Sequence, residues 1–205
     1  MGLLSAHEAI VWWEFQHGLS TSEIASEYEK ASKSRPDYVM DLLRKELLTK
    51  YGEKGLEKEL KRLDEKLDRD KFTDTAYVSR VLNRARSKIE KDLREHARAH
   101  RLDVESVQDY KGLLRGFDYQ ANTEVYIVFT MKLGVVVWYK HDSYAGKLCP
   151  ECPKEQECRE TLDTIMVEYD IDLRPDQEAL YMTEQSIAIF NKLAAKEVAR
   201  YKRQE

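Results

Sequence analysis

Residues 75–101 carry the pattern that most constrains how this chain folds. Apolar residues recur there at intervals of three and four, which is the repeat of one face of an α-helix. Asp74 or Thr75 can cap the first turn, because a short side-chain oxygen accepts a hydrogen bond from a free N–H group there. The segment therefore predicts one long amphipathic helix with one side packed on a core. The apolar stripe consists of Val78, Leu82, Ala85, Ile89 and Leu93.

The same segment is strongly basic. Residues 76–101 contain eight Lys or Arg and three Asp or Glu, a local charge of +5 in a chain of net charge −4. Arginine and asparagine form paired hydrogen bonds with base edges in a DNA major groove, and other cations bind phosphates. A charged helix that only faces solvent is the alternative. The predicted DNA-binding residues are Ser79, Arg80, Asn83, Arg84, Arg86 and Lys88.

The composition limits the class of protein. A hydrophobic fraction of 42% is enough for real cores, and the isoelectric point of about 5.8 excludes a protein that is basic all over. Any DNA site must therefore be a local patch. The first residues lack the basic and apolar regions of a signal peptide, and the longest apolar run, residues 125–139, is interrupted by polar residues. We expect a cytoplasmic protein.

Two capped helices are predicted before the basic segment. Ser5 is followed three residues later by Glu8, and Ser20 by Glu23, which is the capping-box pattern of a helix start. Gly18 lies between them, where a glycine often ends a helix. Helix, short turn and helix together are typical of the first half of a helix-turn-helix domain.

Two stretches of the chain together resemble a known group of DNA-binding domains. They are GLSTSEIA, which begins at Gly18, and YVSRVLNRARSKI, which begins at Tyr77. They are similar to sigma-factor region 4, to LuxR-type domains and to the archaeal Tfx regulators. This resemblance implies that residues 1–101 form a helical domain that binds double-stranded DNA, with residues 77–88 as its recognition helix.

A long segment separates the two stretches, whereas those families have a short turn there. Residues 28–72 are interpreted as a helical-hairpin insertion, and the two alternatives for it are pairing with its copy in a homodimer and packing on its own domain. Residues 37–48 are an alternative recognition helix. The spacing of four, three and four that suggests a short coiled-coil seam is formed by Leu56, Leu60, Leu63 and Leu67.

The composition changes after Arg101, and residues 102–205 are predicted to form a second, small α/β domain. Residues 123–129 and 135–139 are rich in β-branched and aromatic side chains, which predicts a β-hairpin. The segment LDVESVQDYKGLLRGFDY before them is interpreted as a short helix and a turn. Helices are predicted at 161–169 and 183–201. The expected fold class is therefore α+β.

Three cysteines lie close together after the hairpin. Cys149, Cys152 and Cys158 have the spacing Cys-x2-Cys-x5-Cys, and His141 is the nearest histidine. In a reducing compartment such clustering indicates a metal or redox site and not a set of disulfides. His141 is the nearest candidate for the fourth ligand of a metal, and Asp142 or a thiol from outside the chain are the alternatives.

The cysteine spacing resembles the ligand run of the fumarate–nitrate-type oxygen sensors and of the WhiB-like regulators. That resemblance implies a [4Fe–4S] iron–sulfur cluster bound by Cys149, Cys152 and Cys158. A structural zinc ion bound by the same cysteines and His141 is the alternative.

The sequence as a whole predicts a sequence-specific DNA-binding transcription regulator, a homodimer that responds to metal or redox state. The alternative is a zinc-stabilised protein-interaction adaptor that does not bind DNA. A phosphate-binding loop, a nucleophile elbow and a metalloprotease histidine pair are all missing from the sequence, so it gives no reason to expect an enzyme.

Overall fold

The structure is a computed structural model that describes residues 3–31, 74–105, 112–144 and 146–201, together with single positions between 41 and 58. Within these residues the fold is mixed, with helices and one four-stranded antiparallel sheet, so the predicted α+β class is confirmed at this level. None of the described helices is long and apolar enough to cross a membrane. The helices are α1 (Ala6–Gln16), α2 (Thr21–Ala31), α3 (Thr75–Ala99), α4 (Glu155–Glu168), α5 (Pro175–Glu178) and α6 (Met182–Tyr201). The strands are β1 (Asp103–Val104), β2 (Leu113–Asp118), β3 (Thr123–Thr130) and β4 (Gly134–Tyr139).

The chain divides into two compact units, residues 1–88 and residues 89–205. The boundary between them falls inside α3, whereas the sequence places it after the same helix, at Arg101. The predicted insertion, residues 28–72, lies mostly outside the described residues, as does the alternative recognition helix at 37–48.

Helix α1 forms the centre of the first unit. Its five consecutive residues 9–13 are each at most 4% exposed, so the helix is enclosed on all sides. The predicted capping box is present at its start: the Ser5 N–H donates to the Glu8 carboxylate at 2.8 Å, and the Glu8 N–H donates to the Ser5 hydroxyl at 3.4 Å. Gly18 follows the helix with φ of +96°, a backbone conformation that glycine adopts without steric cost.

Helix α2 also begins with a capping box. The Ser20 N–H donates to the Glu23 carboxylate at 2.7 Å, and the Glu23 N–H donates to the Ser20 hydroxyl at 3.3 Å. Ile24 and Ala25 are buried, so α2 presents its apolar side to the core of its unit. Both capping boxes were readable from sequence because their partners are only three residues apart.

Helix α3 has the predicted apolar stripe, and Val81 and Ala97 extend it. Asp74 caps the start by accepting a hydrogen bond from the Ala76 N–H at 2.9 Å. The helix ends at Ala99, and Arg101 has φ of +56°, which turns the chain out of the helix. Every residue of the predicted stripe is at most 3% exposed: Val78, Leu82, Ala85, Ile89 and Leu93.

The second unit contains the sheet, with strand order β1-β2-β3-β4. The predicted hairpin corresponds to β3 and β4, which pair antiparallel with Ile127 opposite Val137. The interpretation of residues 113–118 as part of a helix and turn is wrong, since they form β2 and pair with β3 along its length. Gly116 in β2 lies close to β1: a Cβ atom there would meet the Asp103 backbone oxygen at 2.6 Å.

Helix α4 is fixed to the sheet near its C-terminal end. The buried Glu168 carboxylate accepts hydrogen bonds from the N–H groups of Met131, at 2.6 Å, and Lys132, at 3.0 Å, in the β3–β4 turn. The Tyr169 hydroxyl donates to the Phe129 carbonyl oxygen at 2.6 Å. The loop that carries Cys149 and Cys152 (the cysteine loop) directly precedes α4, so this attachment positions the loop relative to the sheet.

Helix α6 packs through Phe190. Its ring stacks on Tyr126 of β3, with 4.3 Å between ring centroids, and its centroid lies 6.2 Å from that of Trp138 in β4. Tyr126, Trp138 and Phe190 are all buried, so the aromatic cluster forms part of the core of the second unit.

Candidate functional site

The first part of α3 presents a polar face to solvent. Arg80, Asn83 and Arg84 are exposed, and their spacing of three and four places them side by side on the helix. Arg80 is 3.9 Å from the Asp74 carboxylate, and this side chain is 67% exposed. Ser79 is half-buried. Three side chains capable of reading base edges therefore share one open surface.

Two of the predicted DNA-binding residues make contacts inside the first unit. The Arg86 guanidinium lies 4.6 Å from the centroid of the Phe15 ring. The Lys88 ammonium donates to the Glu8 carboxylate at 2.7 Å, and the Glu8 side chain is 5% exposed. Burial alone raises the pKa of Glu8, but hydrogen bonds from Lys88 and Ser5 outweigh burial and hold this pKa below its ordinary value.

All four predicted metal ligands of the second unit line one small cleft. His141 lies two residues after the end of β4. Cys149 begins a short 3₁₀ turn (Cys149–Glu151), Cys152 follows this turn, and Cys158 lies in the first turn of α4. The cysteines are half-buried free thiols. Residues separated by up to seventeen positions in sequence thus meet at one place. The remaining lining residues are Trp138, Ser143, Tyr144, Lys147, Glu155, Met182 and Thr183.

The backbone around the cysteines is arranged to stabilise sulfur charge. The Lys154 N–H donates to the Cys152 sulfur at 3.4 Å, and the Cys158 N–H continues α4 by donating to the Lys154 carbonyl oxygen. An N–H group that donates to sulfur, and the N-terminal end of a helix, both favour a thiolate. Burial, followed by the Cys152 thiol and the Glu157 carboxylate, nevertheless raises the pKa of Cys158. A cation among the sulfurs would offset the repulsion of a Cys158 thiolate by Cys152 and Glu157.

The ring of His141 is held in one tautomer. Its Nδ1 lies 3.0 Å from the Tyr139 carbonyl oxygen, and because a carbonyl oxygen only accepts, the proton must be on Nδ1. The neutral ring then carries its lone pair on Nε2. Protein ligands to zinc commonly use this arrangement, in which one ring nitrogen donates to a carbonyl group and the other binds the metal.

Trp138 is the residue of this cleft that the sequence analysis missed. It is 7% exposed, and its indole Nε1–H has no hydrogen-bond acceptor among the described residues. A buried donor without an acceptor is uncommon and calls for an explanation. No sequence signal marks this tryptophan, because in the strand VVVWY it resembles any other apolar core residue.

The size of the cleft bears on its occupant. Its cavity volume is about 20 Å³, room for one water molecule or one ion and far less than a four-iron cluster needs. Within the described part of the chain, no three His, Cys, Asp or Glu side chains are close enough to hold a metal ion as they stand. Binding an ion therefore requires the thiols to rotate toward a common point.

Comparison of the chain with protein-family models, with curated proteins and with solved structures finds no match. The function is therefore inferred from the chemistry of the residues described above.

Proposed function

We propose that the protein is a sequence-specific DNA-binding transcription regulator that reads a major groove with the first part of α3. The observation that carries this proposal is the exposed face formed by Arg80, Asn83 and Arg84. The side chains of Asn83 and Arg84 form no hydrogen bond or ion pair with any described residue, so their donors are available to a ligand. Arginine pairs with guanine and asparagine with adenine in a major groove, which is wide enough to admit an α-helix.

The remaining residues of the predicted set take supporting parts. Lys88 and Arg86 connect α3 to α1 through Glu8 and Phe15, so they hold the helix on its core. The exposed side of α3 is thereby kept in a fixed position. A surface that recognises DNA bases (here the reading surface, Arg80, Asn83 and Arg84) needs such a rigid support.

The same proposal includes a cytoplasmic location and a homodimer. The homodimer is proposed because helix-turn-helix regulators commonly read two half-sites with two copies of one chain. Residues 102–205 would supply the dimerisation or sensing function. The homodimer predicts a protected DNA site with two half-sites about one helical turn, or a multiple of it, apart.

Selection of binding sites from random DNA duplexes tests the proposal. The preferred duplex is then titrated by fluorescence anisotropy with wild type, Arg84→Ala and a control, Arg115→Ala, which removes an exposed arginine from β2 in the other unit. We expect Arg84→Ala to weaken binding by about 1–3 kcal/mol and to relax the preference at one base position. Equal affinities of Arg84→Ala and wild type for this duplex would remove Arg84 from the reading surface.

Lys91 serves as the phosphate-binding comparison. Its side chain is 78% exposed and lies 3.8 Å from Glu95. We expect Lys91→Ala to weaken binding to all duplexes equally and to reduce the slope of log affinity against log salt by about one, because one phosphate contact is lost. A change in base preference would instead assign Lys91 to a base.

A protein-interaction adaptor is the second candidate function. Large apolar side chains of the second unit are exposed to solvent, which is typical of a docking surface when they are contiguous. Failure of the selection to enrich any duplex, together with the absence of salt-dependent binding to DNA, would favour the adaptor. The most exposed of these side chains are Tyr119, Val167, Leu148 and Tyr181.

A further inference from the structure

We propose that His141, Cys149, Cys152 and Cys158 bind one zinc ion, and that the indole N–H of Trp138 donates to one of the metal-bound thiolates. This proposal goes beyond DNA binding and does not depend on it. It assigns a structural metal centre to the second unit and a supporting role to a buried tryptophan.

The four donor side chains match the ligands of a known kind of zinc site. Three thiolates and one imidazole nitrogen are a complete set of ligands for a tetrahedral structural zinc site, with about 2.3 Å to each sulfur and 2.0–2.1 Å to the nitrogen. All four donors line the same cleft, although they belong to a strand end, a 3₁₀ turn and a helix start. Four ligands leave no open position, so the site is structural and not catalytic.

Hydrogen bonds to the backbone orient two of these ligands. The Tyr139 carbonyl oxygen holds the proton of His141 on Nδ1, which leaves Nε2 for the metal. The Lys154 N–H already donates to the Cys152 sulfur. Such outer contacts orient metal ligands and tune their charge in known sites. The two contacts therefore orient two of the four proposed ligands.

The indole N–H of Trp138 is a hydrogen-bond donor that a metal-bound thiolate would pair. This Nε1–H is buried without an acceptor among the described residues, and Trp138 is one of the residues that line the cleft. A thiolate bound to zinc accepts N–H hydrogen bonds, so metal binding would supply the acceptor that Trp138 lacks. The same indole packs against Phe190, and this contact holds the ring in place.

The choice of zinc over an iron–sulfur cluster follows from size and from the fourth ligand. The cavity of about 20 Å³ has room for a single ion toward which the thiols would rotate. His141 supplies the nitrogen that completes a tetrahedral set for one zinc ion, and thiolate and imidazole ligands both suit this metal. The cluster implied by the cysteine spacing would need the cleft to open considerably.

Metal binding would link two distant parts of the second unit. The end of β4, through His141, would be joined to the start of α4, through Cys158. Binding replaces thiol protons by the metal, so one zinc ion should release up to three protons on binding. Removal of zinc should therefore loosen the loop between β4 and α4 without affecting the hairpin turn that Glu168 holds.

Metal analysis of the protein purified without oxygen is the first test. We expect one zinc per chain, with neither iron nor acid-labile sulfide, and visible absorption bands of a tetrahedral thiolate site after replacement of zinc by cobalt. Cys152→Ser and His141→Ala should lose the metal or bind it at least tenfold more weakly. The control, His100→Ala, removes an exposed histidine of the same unit and should retain one zinc per chain.

The role of Trp138 is tested by titrating zinc into the metal-free full-length protein in the presence of a competing chelator, which measures the affinity for zinc. Trp138→Phe keeps the aromatic packing but removes the N–H donor, so it should bind one zinc with affinity lower by about 10–100-fold. Unchanged affinity would overturn the hydrogen bond to sulfur. Iron with sulfide, zinc retained by His141→Ala at full affinity, or no zinc at all would each overturn the proposed metal centre. Circular dichroism of each variant separates loss of ligand from loss of fold.

Discussion

The Glu8–Lys88 pair joins residues that are eighty positions apart in sequence. Glu8 also belongs to the capping box of α1, so one buried carboxylate serves both a local and a long-range contact. The local contact is predictable from the sequence, because Ser5 and Glu8 fit a known short pattern. The contact of Lys88 with Glu8 is not predictable, since no pattern in the chain shows that α1 and α3 meet.

Replacement of Lys88 by methionine should lower the free energy of unfolding by about 1–3 kcal/mol, because the buried Glu8 carboxylate loses a hydrogen-bond donor. Lys91→Met is the matched control, since its ion pair is exposed and should contribute less than about 1 kcal/mol. Urea denaturation measures both. A loss no greater for Lys88→Met than for the control would mean that the pair contributes nothing beyond a surface contact.

The pH dependence of stability should report the same carboxylate. The pKa of Glu8 is lowered in the folded state, so its contribution to stability is complete above the unfolded pKa of about 4.3 and is lost as the pH falls toward the lower folded value. The difference in unfolding free energy between wild type and Glu8→Gln should therefore shrink between about pH 5 and pH 3. A difference that is constant over this range would contradict the assignment.

At the scale of elements, α4 is the connection between the β-hairpin and the cysteine loop. Glu168, near its C-terminal end, holds the β3–β4 turn, and Cys158, near its start, lines the candidate metal site. A single helix thus carries a carboxylate that positions a turn and a thiol that is available to a metal.

Glu168→Gln should lower the free energy of unfolding by about 1–3 kcal/mol, because two turn N–H groups share a buried carboxylate that glutamine replaces only in part. Glu160→Gln is the control: it removes an exposed ion pair with Lys132 in the same turn and should change stability by less than about 1 kcal/mol. Hydrogen exchange of the Met131 and Lys132 amides should quicken only in Glu168→Gln. Equal exchange in the two variants would assign the turn's stability to other contacts.

Some elements were predictable from the sequence and others were not, for reasons that are visible in the residues. The long stripe of α3 and the β3–β4 hairpin are periodic and local, so their patterns are enough. Strand β2 was missed because LLRGFD has no clean alternation and contains Gly116. Its pairing with β1 and β3 makes it a strand.

The candidate metal site shows the same division. The three cysteines and His141 are a recognisable set in the sequence, whereas the tautomer of His141 and the position of Trp138 depend on the folded backbone. A buried donor without an acceptor is a three-dimensional property, and residue spacing carries no information about it.

At the scale of the whole molecule, the two candidate functional surfaces lie in different compact units, at α3 before residue 89 and at the cleft near α4. Zinc that binds only the native protein stabilises it by RT ln(1 + [L]/Kd), or about 2.7 kcal/mol at a hundredfold excess over Kd. In hydrogen-exchange mass spectrometry, chelation should therefore speed exchange in α4 and the cysteine loop but leave α1 and α2 unchanged. Equal effects on both units would show that the metal stabilises the entire chain.

The close approach of Gly116 to Asp103 has an evolutionary consequence. A Cβ atom at this position would lie 2.6 Å from a backbone oxygen, which cannot move away as a flexible side chain can. Mutational drift should therefore be blocked at position 116, whereas the exposed Arg115 beside it remains open to substitution. Descendants of this gene that retain the pairing of β1 with β2 should keep glycine here, and a lineage that acquires a larger residue should have lost the β1 strand.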